Sequence, residues 1–459
     1  MDTAQKLSSL IQLQTVSAPA ADAAQQKLHD AAFAAFDTAL AQLFPRLHEV
    51  CEVSHDTAAQ LPLQLLWRGA DAELAPVVLM AHYDVVPAPS SDADPEPFSG
   101  AIRDGFVHGR GALDDKGPLV VLLEAAEQLA AAGFQPPRDI LFALGSDEEV
   151  QGITAKNLAT AWRETGQVPY LVIDEGGAVV DQPLPGLPVP AAMIGVGEKG
   201  IATFKLRLRG KGGHASAPTT PSTLGRMARA VTRLEKQHFP ARAPHTLMQM
   251  LRLFAAQAPR QQRHLLQALT THPKVTAAAL ATRGGESAAL VRTTVAVTGF
   301  QAGVADNVIA PSAEVTVNCR IAPGSSVAAT ARYLKRVVAD PQITITTVYG
   351  EEPTELASTA SPQWQLVAET VAKVWPGTLA APYIMLANTD SRHWHRFTPA
   401  VYRFAPLQMS VAQRESIHGV GEKVAVSALQ EGVAFWKLLL RALPGAQSAL
   451  SEHIDNAQK

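Results

Sequence analysis

Short apolar runs alternate with longer helical patterns through the first part of the chain. A strand that is apolar throughout is typical of a parallel sheet that is covered on both faces. The succession of strand, helix and strand therefore predicts a doubly wound, mixed α/β sheet. The apolar runs lie at 63–67, 76–81, 139–144 and 170–173, and the helical patterns between them at 118–132 and 152–164.

The pattern changes near Gly197. Residues 201–209 alternate strictly between apolar and polar side chains, which predicts a sheet with one solvated face. We interpret this as an inserted α+β domain that forms a two-layer sandwich. Its further strands are predicted at 292–299, 313–320 and 342–349, and its helices at 222–237, 244–282 and 326–339. The predicted division is 1–198 for the first part of the catalytic domain, 199–352 for the insertion and 353–459 for the second part of the catalytic domain.

Length and composition narrow the function classes. A chain of 459 residues is expected to form two domains. The net charge is 39 minus 42, or −3, and basic residues are not clustered, so no nucleic-acid partner is expected. We also expect no membrane partner, because no run approaches the ~20 apolar residues that span a bilayer. The N-terminus lacks a secretion-signal pattern, which predicts a cytoplasmic protein. With two separated cysteines, Cys51 and Cys319, any metal must be held by His, Asp and Glu.

Polar clusters follow three of the predicted strands. His82 and Asp84 come after the run at 76–81, Glu148 and Glu149 after 139–144, and Asp174 after 170–173. In open α/β sheets ligands bind outside the carboxyl ends of the strands, so these clusters are predicted to converge. Two adjacent carboxylates repel each other and are costly to desolvate unless a cation lies beside them.

A metal centre supplies such a cation. Two imidazoles and three carboxylates suit two divalent ions, most simply zinc, with Asp114 as the bridging ligand. Glu148 is then predicted to act as the general base, and Asp84 to fix the tautomer of the ligand imidazole. The predicted metal ligands are His82, Asp114, Glu149, Asp174 and His418.

The glycine-rich stretch 109–117 is not interpreted as a dinucleotide-binding loop. Its two aspartates would repel a pyrophosphate at the start of the following helix. His393 and His395 lack a strand-end position and are left out of the ligand set, and His108 is expected to be a solvated turn residue.

The ordered motifs resemble a family of zinc metallopeptidases that includes aminoacylase, carboxypeptidase G, succinyl-diaminopimelate desuccinylase, carnosinase and yeast carboxypeptidase S. The resemblance is closest to the carboxypeptidase S branch, which includes enzymes that make and cleave N-fatty-acyl amino acids. The motifs are H-x-D at 82–84, G-R-G-x-x-D-D-K-G at 109–117, D-E-E at 147–149, D-E-G-G at 174–177, G-H-x-S-A-P at 213–218, T-D-S-R at 389–392 and I-H-G-V-x-E-K at 417–423.

The resemblance implies roles for further residues. His214 in the insertion resembles a histidine that polarises the scissile carbonyl, in dimeric members within the partner's site. Asn307 and Arg320 resemble a pair that grips the substrate, often its carboxylate. The other side of the cleft is expected to be lined by Thr389, Ser391 and Arg392. The insertion is expected to serve as a lid or a dimerisation domain, so the chain is expected to be a monomer or a homodimer.

The sequence thus predicts a hydrolase that holds two Zn²⁺ ions per chain, with Co²⁺ or Mn²⁺ as possible replacements. Its expected substrate is a small N-acyl amino acid or a peptide that is cleaved at its C-terminal bond. The alternatives are a zinc aminopeptidase or dipeptidase on the same scaffold and a catalytically silent binding protein. The apolar stretch 244–282 is interpreted as core of the insertion or as cover for an acyl-chain channel.

Overall fold

A computed structural model provides the structure of this chain. It describes residues 1–17, 23–88, 90–91, 94, 96–184, 186–218, 220–303 and 305–446.

The first part of the chain builds most of a large mixed sheet and the helices that cover it. The helices are α1 (Thr3–Ile11), α2 (Ala23–Leu43), α3 (Pro45–Val50), α4 (Lys116–Ala131) and α5 (Ile153–Thr165). The strands are β1 (Cys51–Ser54), β2 (Leu63–Trp67), β3 (Val77–His82), β4 (Ile102–Arg103), β5 (Phe106–His108), β6 (Ile140–Gly145), β7 (Leu171–Asp174), β8 (Val179–Val180) and β9 (Ala191–Glu198).

The inserted segment begins directly after β9. Its strands are β10 (Gly200–Arg209), β11 (Gly213–His214), β12 (Thr294–Ala302), β13 (Val308–Ile309), β14 (Ser312–Ile321) and β15 (Thr344–Glu351). Its helices are α6 (Thr223–Lys236), α7 (His245–Gln257), α8 (Arg260–Thr271), α9 (Pro273–Arg283), α10 (Gly285–Ala289) and α11 (Val327–Val338).

The last part of the chain returns to the large sheet. Its helices are α12 (Pro362–Val374), α13 (Val411–Ser416) and α14 (Val426–Arg441), and its strands are β16 (Leu379–Met385), β17 (Val401–Arg403), β18 (Gln408–Met409) and β19 (Lys423–Ala425). Along the large sheet the strand order is β1-β2-β6-β3-β7-β17-β9-β8-β18, and β16 pairs with β9. Strands from both parts of the chain therefore complete one sheet around the insertion.

The large sheet is covered on both faces, as its apolar strands require. Val77 and Leu79 of β3 lie in the core that includes α1, α4 and α14. Val78 and Met80 point the opposite way and pack with α5 and Trp394. Neighbouring residues of one strand face opposite sides, so a strand between two helical layers is apolar at every position.

The insertion forms a separate antiparallel sheet with strand order β12-β14-β10-β15. Phe204, Leu206, Val315 and Val317 on one face of this sheet are buried against α6 and α11. This arrangement is the predicted two-layer sandwich. The predicted mixed α/β fold with an inserted α+β sandwich is confirmed, whereas the division at 198/199 and 352/353 stays a prediction.

The stretch 244–282 is split into three helices by Pro259 and Pro273, which begin or precede new helices. Leu247, Leu251 and Phe254 of α7 are buried in a core cluster with Ala381 of β16. Among the helices that the structure describes, none combines the length and the apolar character that a membrane span requires.

Candidate metal centre

Three neighbouring parallel strands end at the same edge of the large sheet. β3 pairs in parallel with both β6 and β7. His82 is the last residue of β3 and Asp174 is the last residue of β7. Glu148 and Glu149 lie in a 3₁₀ turn shortly after β6. The convergence expected from the strand order therefore places these side chains at one end of the sheet.

Asp114 contacts both predicted imidazole ligands at once. Its Oδ1 lies 3.1 Å from Nε2 of His82, and its Oδ2 lies 3.1 Å from Nε2 of His418. The Nε2 atom of His418 also lies 3.0 Å from Oε1 of Glu149. Ligand atoms of His82, Asp114 and Glu149 all lie within 4.8 Å of one another. A carboxylate that reaches two imidazoles through different oxygens is placed as a bridging ligand would be.

The titration of these groups shows that the cluster attracts positive charge. Hydrogen bonds to Asp114 and Glu149 raise the pKa of His418 to about 10. The pKa of His82 is also raised, because the hydrogen bonds to Asp114 and Asp84 outweigh its burial. Burial opposes ionisation of Asp114, yet the hydrogen bonds from His418 and His82 lower its pKa. A divalent cation would meet the same demand for positive charge, and the two imidazoles would then bind it in their neutral form.

Other carboxyl groups at the same edge repel each other. Burial raises the pKa of Glu175 well above its usual range, and Asp114, Asp115 and Glu148 add to the effect. The pKa of Glu148 is raised by burial and by nearby carboxylates, although His82 opposes the change. This excess of buried acidic groups fits a site that holds divalent cations, and imidazole with carboxylate is a donor set that suits zinc.

Asp84 positions two parts of the site. Nδ1 of His82 lies 3.0 Å from the backbone carbonyl of Asp84 and 3.3 Å from its Oδ1. The carboxylate also accepts the backbone N–H groups of Glu148 (3.2 Å) and Glu149 (3.1 Å). Ser17 donates its hydroxyl to the same carboxylate at 2.6 Å. Asp84 thus orients the imidazole and the acidic pair together.

Asp174 is held by backbone N–H groups rather than by the imidazoles of His82 and His418. It accepts the N–H of Ser391 at 2.7 Å and that of Glu175 at 2.9 Å. Burial raises its pKa, in spite of those hydrogen bonds. The structure does not place Asp174 in the close group of His82, Asp114 and Glu149 among the described residues.

Thr389 and Ser391 lie beneath the site and do not line the cavity described below. Both are fully buried. Thr389 donates its hydroxyl to Glu198 at 2.7 Å and its N–H to the same carboxylate at 3.0 Å. Glu198 is in turn paired with the buried Arg403 at 2.6 Å. These contacts support Asp174, because Thr389 contacts Ser391 and Ser391 binds Asp174. Thr389 and Ser391 therefore lie behind the metal site and not on the cleft wall, where they were expected.

Glu422 fixes the loop that carries Asp114. Its carboxylate accepts the N–H of Leu113 at 2.8 Å and that of Asp114 at 3.2 Å. It also pairs with Arg110 at 2.5 Å, and both side chains are buried. The contact joins the glycine-rich stretch to the turn after His418, although more than 300 residues separate them in sequence.

A cavity of about 800 Å³ opens beside the acidic cluster. On one side it is lined by Asp114, Glu148, Glu149, Glu175 and His418, and on another by Arg320, Asn388 and Arg392. Arg320 donates Nη1 to Oδ1 of Asn388 at 2.8 Å, and its other guanidinium N–H groups have no hydrogen-bond partner among the described residues. Arg392 instead donates to the carbonyls of Thr389 (2.6 Å) and Gln151 (2.7 Å).

The remaining wall of the cavity is apolar and rich in methionine. It includes Met193, Met385, Met409, Val180 and Ile417. Gly176 allows Met385 to approach, because a Cβ at this position would lie 2.5 Å from Cε of Met385 and its φ is +119°. Methionine side chains are flexible and adapt to apolar groups of different shapes.

His214 and Asn307 lie away from this cavity. His214 is exposed in β11 and pairs with Val308 of β13, and the carbonyl of Asn307 accepts the N–H of Ala215 at 3.0 Å. Neither residue is among the described residues that line the cavity. His214 and Asn307 therefore lie close to each other, on an exposed patch of the insertion.

Some supporting residues were not identified from the sequence. Glu198 follows no motif that marks a function, whereas Asn388 directly precedes the T-D-S-R motif and Glu422 lies in the I-H-G-V-x-E-K motif, and neither was given a role. His108 lies in β5 rather than in a turn. His395 accepts a hydrogen bond from Arg403 at Nδ1 (3.2 Å), and burial lowers its pKa to about 3, which fits its exclusion from the ligand set.

Comparison with known proteins gives a consistent result. The sequence profile of peptidase family M20/M25/M40 matches residues 78–442. The chain is 35% identical over 435 residues to the N-fatty-acyl-amino acid synthase/hydrolase PM20D1 of Mus musculus. This alignment covers 94% of this chain and 85% of the relative. The chain is 32% identical over 446 residues to the probable carboxypeptidase S-like 2 of Dictyostelium discoideum, covering 96% of this chain and 85% of the relative.

Solved structures share the fold. The M20 family metallo-carboxypeptidase Sso-CP2 from Sulfolobus solfataricus aligns with a TM-score of 0.65 at 17% identity, covering 96% of this chain and 99% of that chain. Human carnosine dipeptidase 1 aligns with a TM-score of 0.64 at 15% identity, covering 96% of both chains. The family prediction made from the motifs is confirmed.

Proposed function

The chain belongs to peptidase family M20/M25/M40 and is a metallohydrolase of amide bonds, and from this premise we propose that it removes the acyl group from N-acyl amino acids. Cleavage of a C-terminal peptide bond is the same reaction with a peptidyl acyl group. The observation that supports this proposal is the position of Asp114 between two imidazoles, beside a cavity whose other wall carries the half-buried Arg320.

We propose two zinc ions as the cofactor. His82, Asp114 and Asp174 would hold one ion, and Asp114, Glu149 and His418 would hold the other. Ions in these places would polarise the scissile carbonyl and lower the pKa of the attacking water. The contacts of Asp114 with both imidazoles support the pairing, and the raised pKa of His418 supports the demand for positive charge.

Glu148 is the proposed general base. Its carboxyl group lines the cavity next to Asp114, and burial raises its pKa, which favours its acting as a proton acceptor. It would take a proton from the attacking water and deliver it to the leaving nitrogen. Asp84 holds the backbone of Glu148 in place and would keep this carboxyl group aimed at the cavity.

Arg320 is the proposed anchor for the free carboxylate of the substrate. A guanidinium group matches a carboxylate in shape and can form two parallel hydrogen bonds with it. Arg320 retains free N–H groups after its bond to Asn388, whereas two N–H groups of Arg392 already bind backbone carbonyls. Arg392 is thus better placed to shape the cavity wall than to clamp a ligand.

The apolar wall of the cavity supports an apolar acyl group. Met193, Met385 and Met409 lie on this wall, and the helices of the stretch 244–282 are not among the described residues that line the cavity. We therefore place the acyl chain against the methionines rather than beneath that stretch.

His214 and Asn307 are proposed to act in the site of a second copy of the chain. The imidazole of His214 would stabilise the oxyanion there, and Asn307 would contact the same substrate. Their shared position on an exposed patch, outside their own cavity, supports this assignment. The proposal thereby favours a homodimer.

The test is a panel of N-acyl amino acids with acyl groups from acetyl to palmitoyl, assayed at defined zinc loading. We expect kcat/KM to rise with chain length, because each buried methylene contributes about 0.8 kcal/mol. An N-blocked dipeptide should be cleaved and a C-blocked dipeptide with a free amine should not. Cleavage of the C-blocked dipeptide alone would contradict the proposal and favour an aminopeptidase.

A variant sharpens the assignment of the acyl pocket. Met409→Gln changes an apolar side chain into a polar one of similar length, and we expect it to lower kcat/KM for the palmitoyl substrate about 10-fold. The acetyl substrate serves as the internal control and should be unaffected. Equal losses on both substrates would remove Met409 from the acyl pocket.

A further inference from the structure

A second cavity lies where the insertion joins the large sheet. Its volume is about 370 Å³. It is lined by Lys199, which links β9 to β10, by the loop before β12 with Arg292, and by the segment before α7 with Arg242. Three cationic side chains line it, and no acidic side chain is among the described residues that do so. The chain as a whole carries a net charge of −3, so this concentration of positive charge is a local feature.

Lys199 is buried, and no described residue supplies a carboxylate partner for it. Its side chain is only 2% exposed, and its Nζ donates to the carbonyls of Ala289 (3.0 Å) and Arg292 (2.8 Å). An ammonium group has three N–H donors, so one donor is not used by these bonds. Burial and repulsion from Arg320 both lower the pKa of Lys199, to about 8.

Several buried cations in the described chain are paired with carboxylates, whereas Lys116 and Arg138 are held by backbone carbonyls, as Lys199 is. Lys6 pairs with Glu124 at 2.6 Å. Arg110 pairs with Glu422, and Arg403 pairs with Glu198. Burying a charge is costly unless an opposite charge lies beside it. Lys199, like Lys116 and Arg138, has no carboxylate beside it among the described residues, and the cavity that it lines also carries two neighbouring arginines.

We propose that this cavity binds a small organic anion, whose carboxylate or phosphate group contacts Lys199, Arg242 and Arg292. Phe239, Leu290 and Pro323 line the same cavity and would contact the apolar body of the ligand. A volume of this size suits a small molecule rather than a bare inorganic ion. The anion supplies the negative charge that the surrounding protein does not.

The site is separate from the metal centre but adjoins the larger cavity. The carbonyl of Lys199 accepts a hydrogen bond from Asn388 at 3.0 Å, and its N–H donates to Met385 at 3.1 Å. Asn388 and Met385 both line the larger cavity. Binding of an anion to this cavity can be measured without turnover at the metal centre, so its test does not depend on the proposed amide hydrolysis.

Calorimetry on the zinc-loaded protein tests the proposal with phenyl phosphate, phenylacetate and neutral benzyl alcohol as probes. We expect at least one anionic probe to bind and the neutral probe not to bind. Comparison of the two anions shows whether the site prefers phosphate or carboxylate. Two results would overturn the proposal. One is equal binding of benzyl alcohol and both anions, and the other is no binding of any probe at about 10 mM.

Variants show whether the bound probe occupies this cavity rather than the metal centre. Arg242→Gln and Arg292→Gln should each weaken binding of the anion about 10-fold to 100-fold, the range expected for a charge-assisted hydrogen bond. Arg252→Gln alters an exposed arginine of α7 that does not line the cavity, and it should bind as the unaltered protein does. Affinity that is unchanged in both cavity variants would assign the probe to another place and refute the proposal.

Crystals soaked in selenate give an independent readout of position. The selenium atom provides an anomalous signal, which should appear between Lys199 and the two arginines and disappear in the double variant Arg242→Gln/Arg292→Gln. Selenate peaks elsewhere with none in this cavity would contradict the proposed site.

Discussion

The metal centre was predicted largely from strand-end positions, and the patch around His214 from the family resemblance alone; the structure places the two differently. Within one chain Asp114 contacts both His82 and His418, and His418 contacts Glu149, each at 3.0–3.1 Å. His214 lies exposed in the insertion, beside Asn307. Residues at the ends of strands in one sheet converge because the sheet fixes them, whereas the role proposed for His214, on a separate sheet, requires a second copy of the chain.

The largest effect is expected from removal of the central ligand. Asp114→Ala should abolish binding of both metals and lower turnover by more than about 10⁴-fold, beyond the range of a single general base. Metal content and kcat/KM on an N-acyl amino acid are the measurements. Asp30→Ala, at an exposed position of α2, is the control. An Asp114→Ala protein that retained two zinc ions would break the assignment of the bridging ligand.

Glu148→Gln should separate chemistry from metal binding. We expect the variant to keep its metal, because Glu148 is not one of the proposed ligands, and to lose about 10²–10⁴-fold in kcat. Glu164→Gln, on the exposed side of α5, is the matched control and should retain full activity. Near-normal turnover by Glu148→Gln would exclude this residue as the base.

His214→Ala tests the other side of the comparison. Loss of one oxyanion donor typically lowers kcat about 10²–10³-fold, and metal content should not change. His264→Ala, at an exposed position of α8, serves as its control.

Mixing inactive variants distinguishes action within one chain from action across a dimer. Refolded mixtures of His214→Ala and Glu148→Gln protomers contain mixed dimers with one intact site each, so activity should recover to roughly a quarter of normal. If His214 serves its own chain, the mixture should stay as inactive as its components, and action of His214 across a dimer would be excluded.

The smallest expected effect concerns the support of the metal centre. Asp84→Asn keeps the shape of the side chain but weakens its hold on His82 and on the backbone of the acidic pair. We expect zinc affinity to fall about 10–100-fold, measured by competition with a chelator. Ser17→Ala removes a single hydrogen bond to the same carboxylate and should have a weaker effect in the same direction. An unchanged zinc affinity in Asp84→Asn would show that the backbone carbonyl alone orients the imidazole.

The sequence by itself determined the fold class and the grouping of the strand-end residues. Apolar runs between helical patterns are local signals, and the rule that ligands gather at the carboxyl ends of strands needs only the order of the strands. His82, the Glu148 and Glu149 pair and Asp174 could therefore be assigned to one edge before any distance was known. His418 and Asp114 were added from their motifs, and the structure brings them to the same place.

Only the tertiary structure decided what surrounds and supports these residues. Three features join segments that lie far apart in the chain. They are the contacts of Glu198 with Thr389 and Arg403, the hydrogen bonds of Glu422 to the loop that carries Asp114, and the methionine wall of the cavity. Such contacts leave no periodic pattern in the sequence, because they depend on the path of the chain between the segments. For the same reason the burial of Thr389 and Ser391 beneath the site, and the exposure of His214 outside it, were decided by packing rather than by motif.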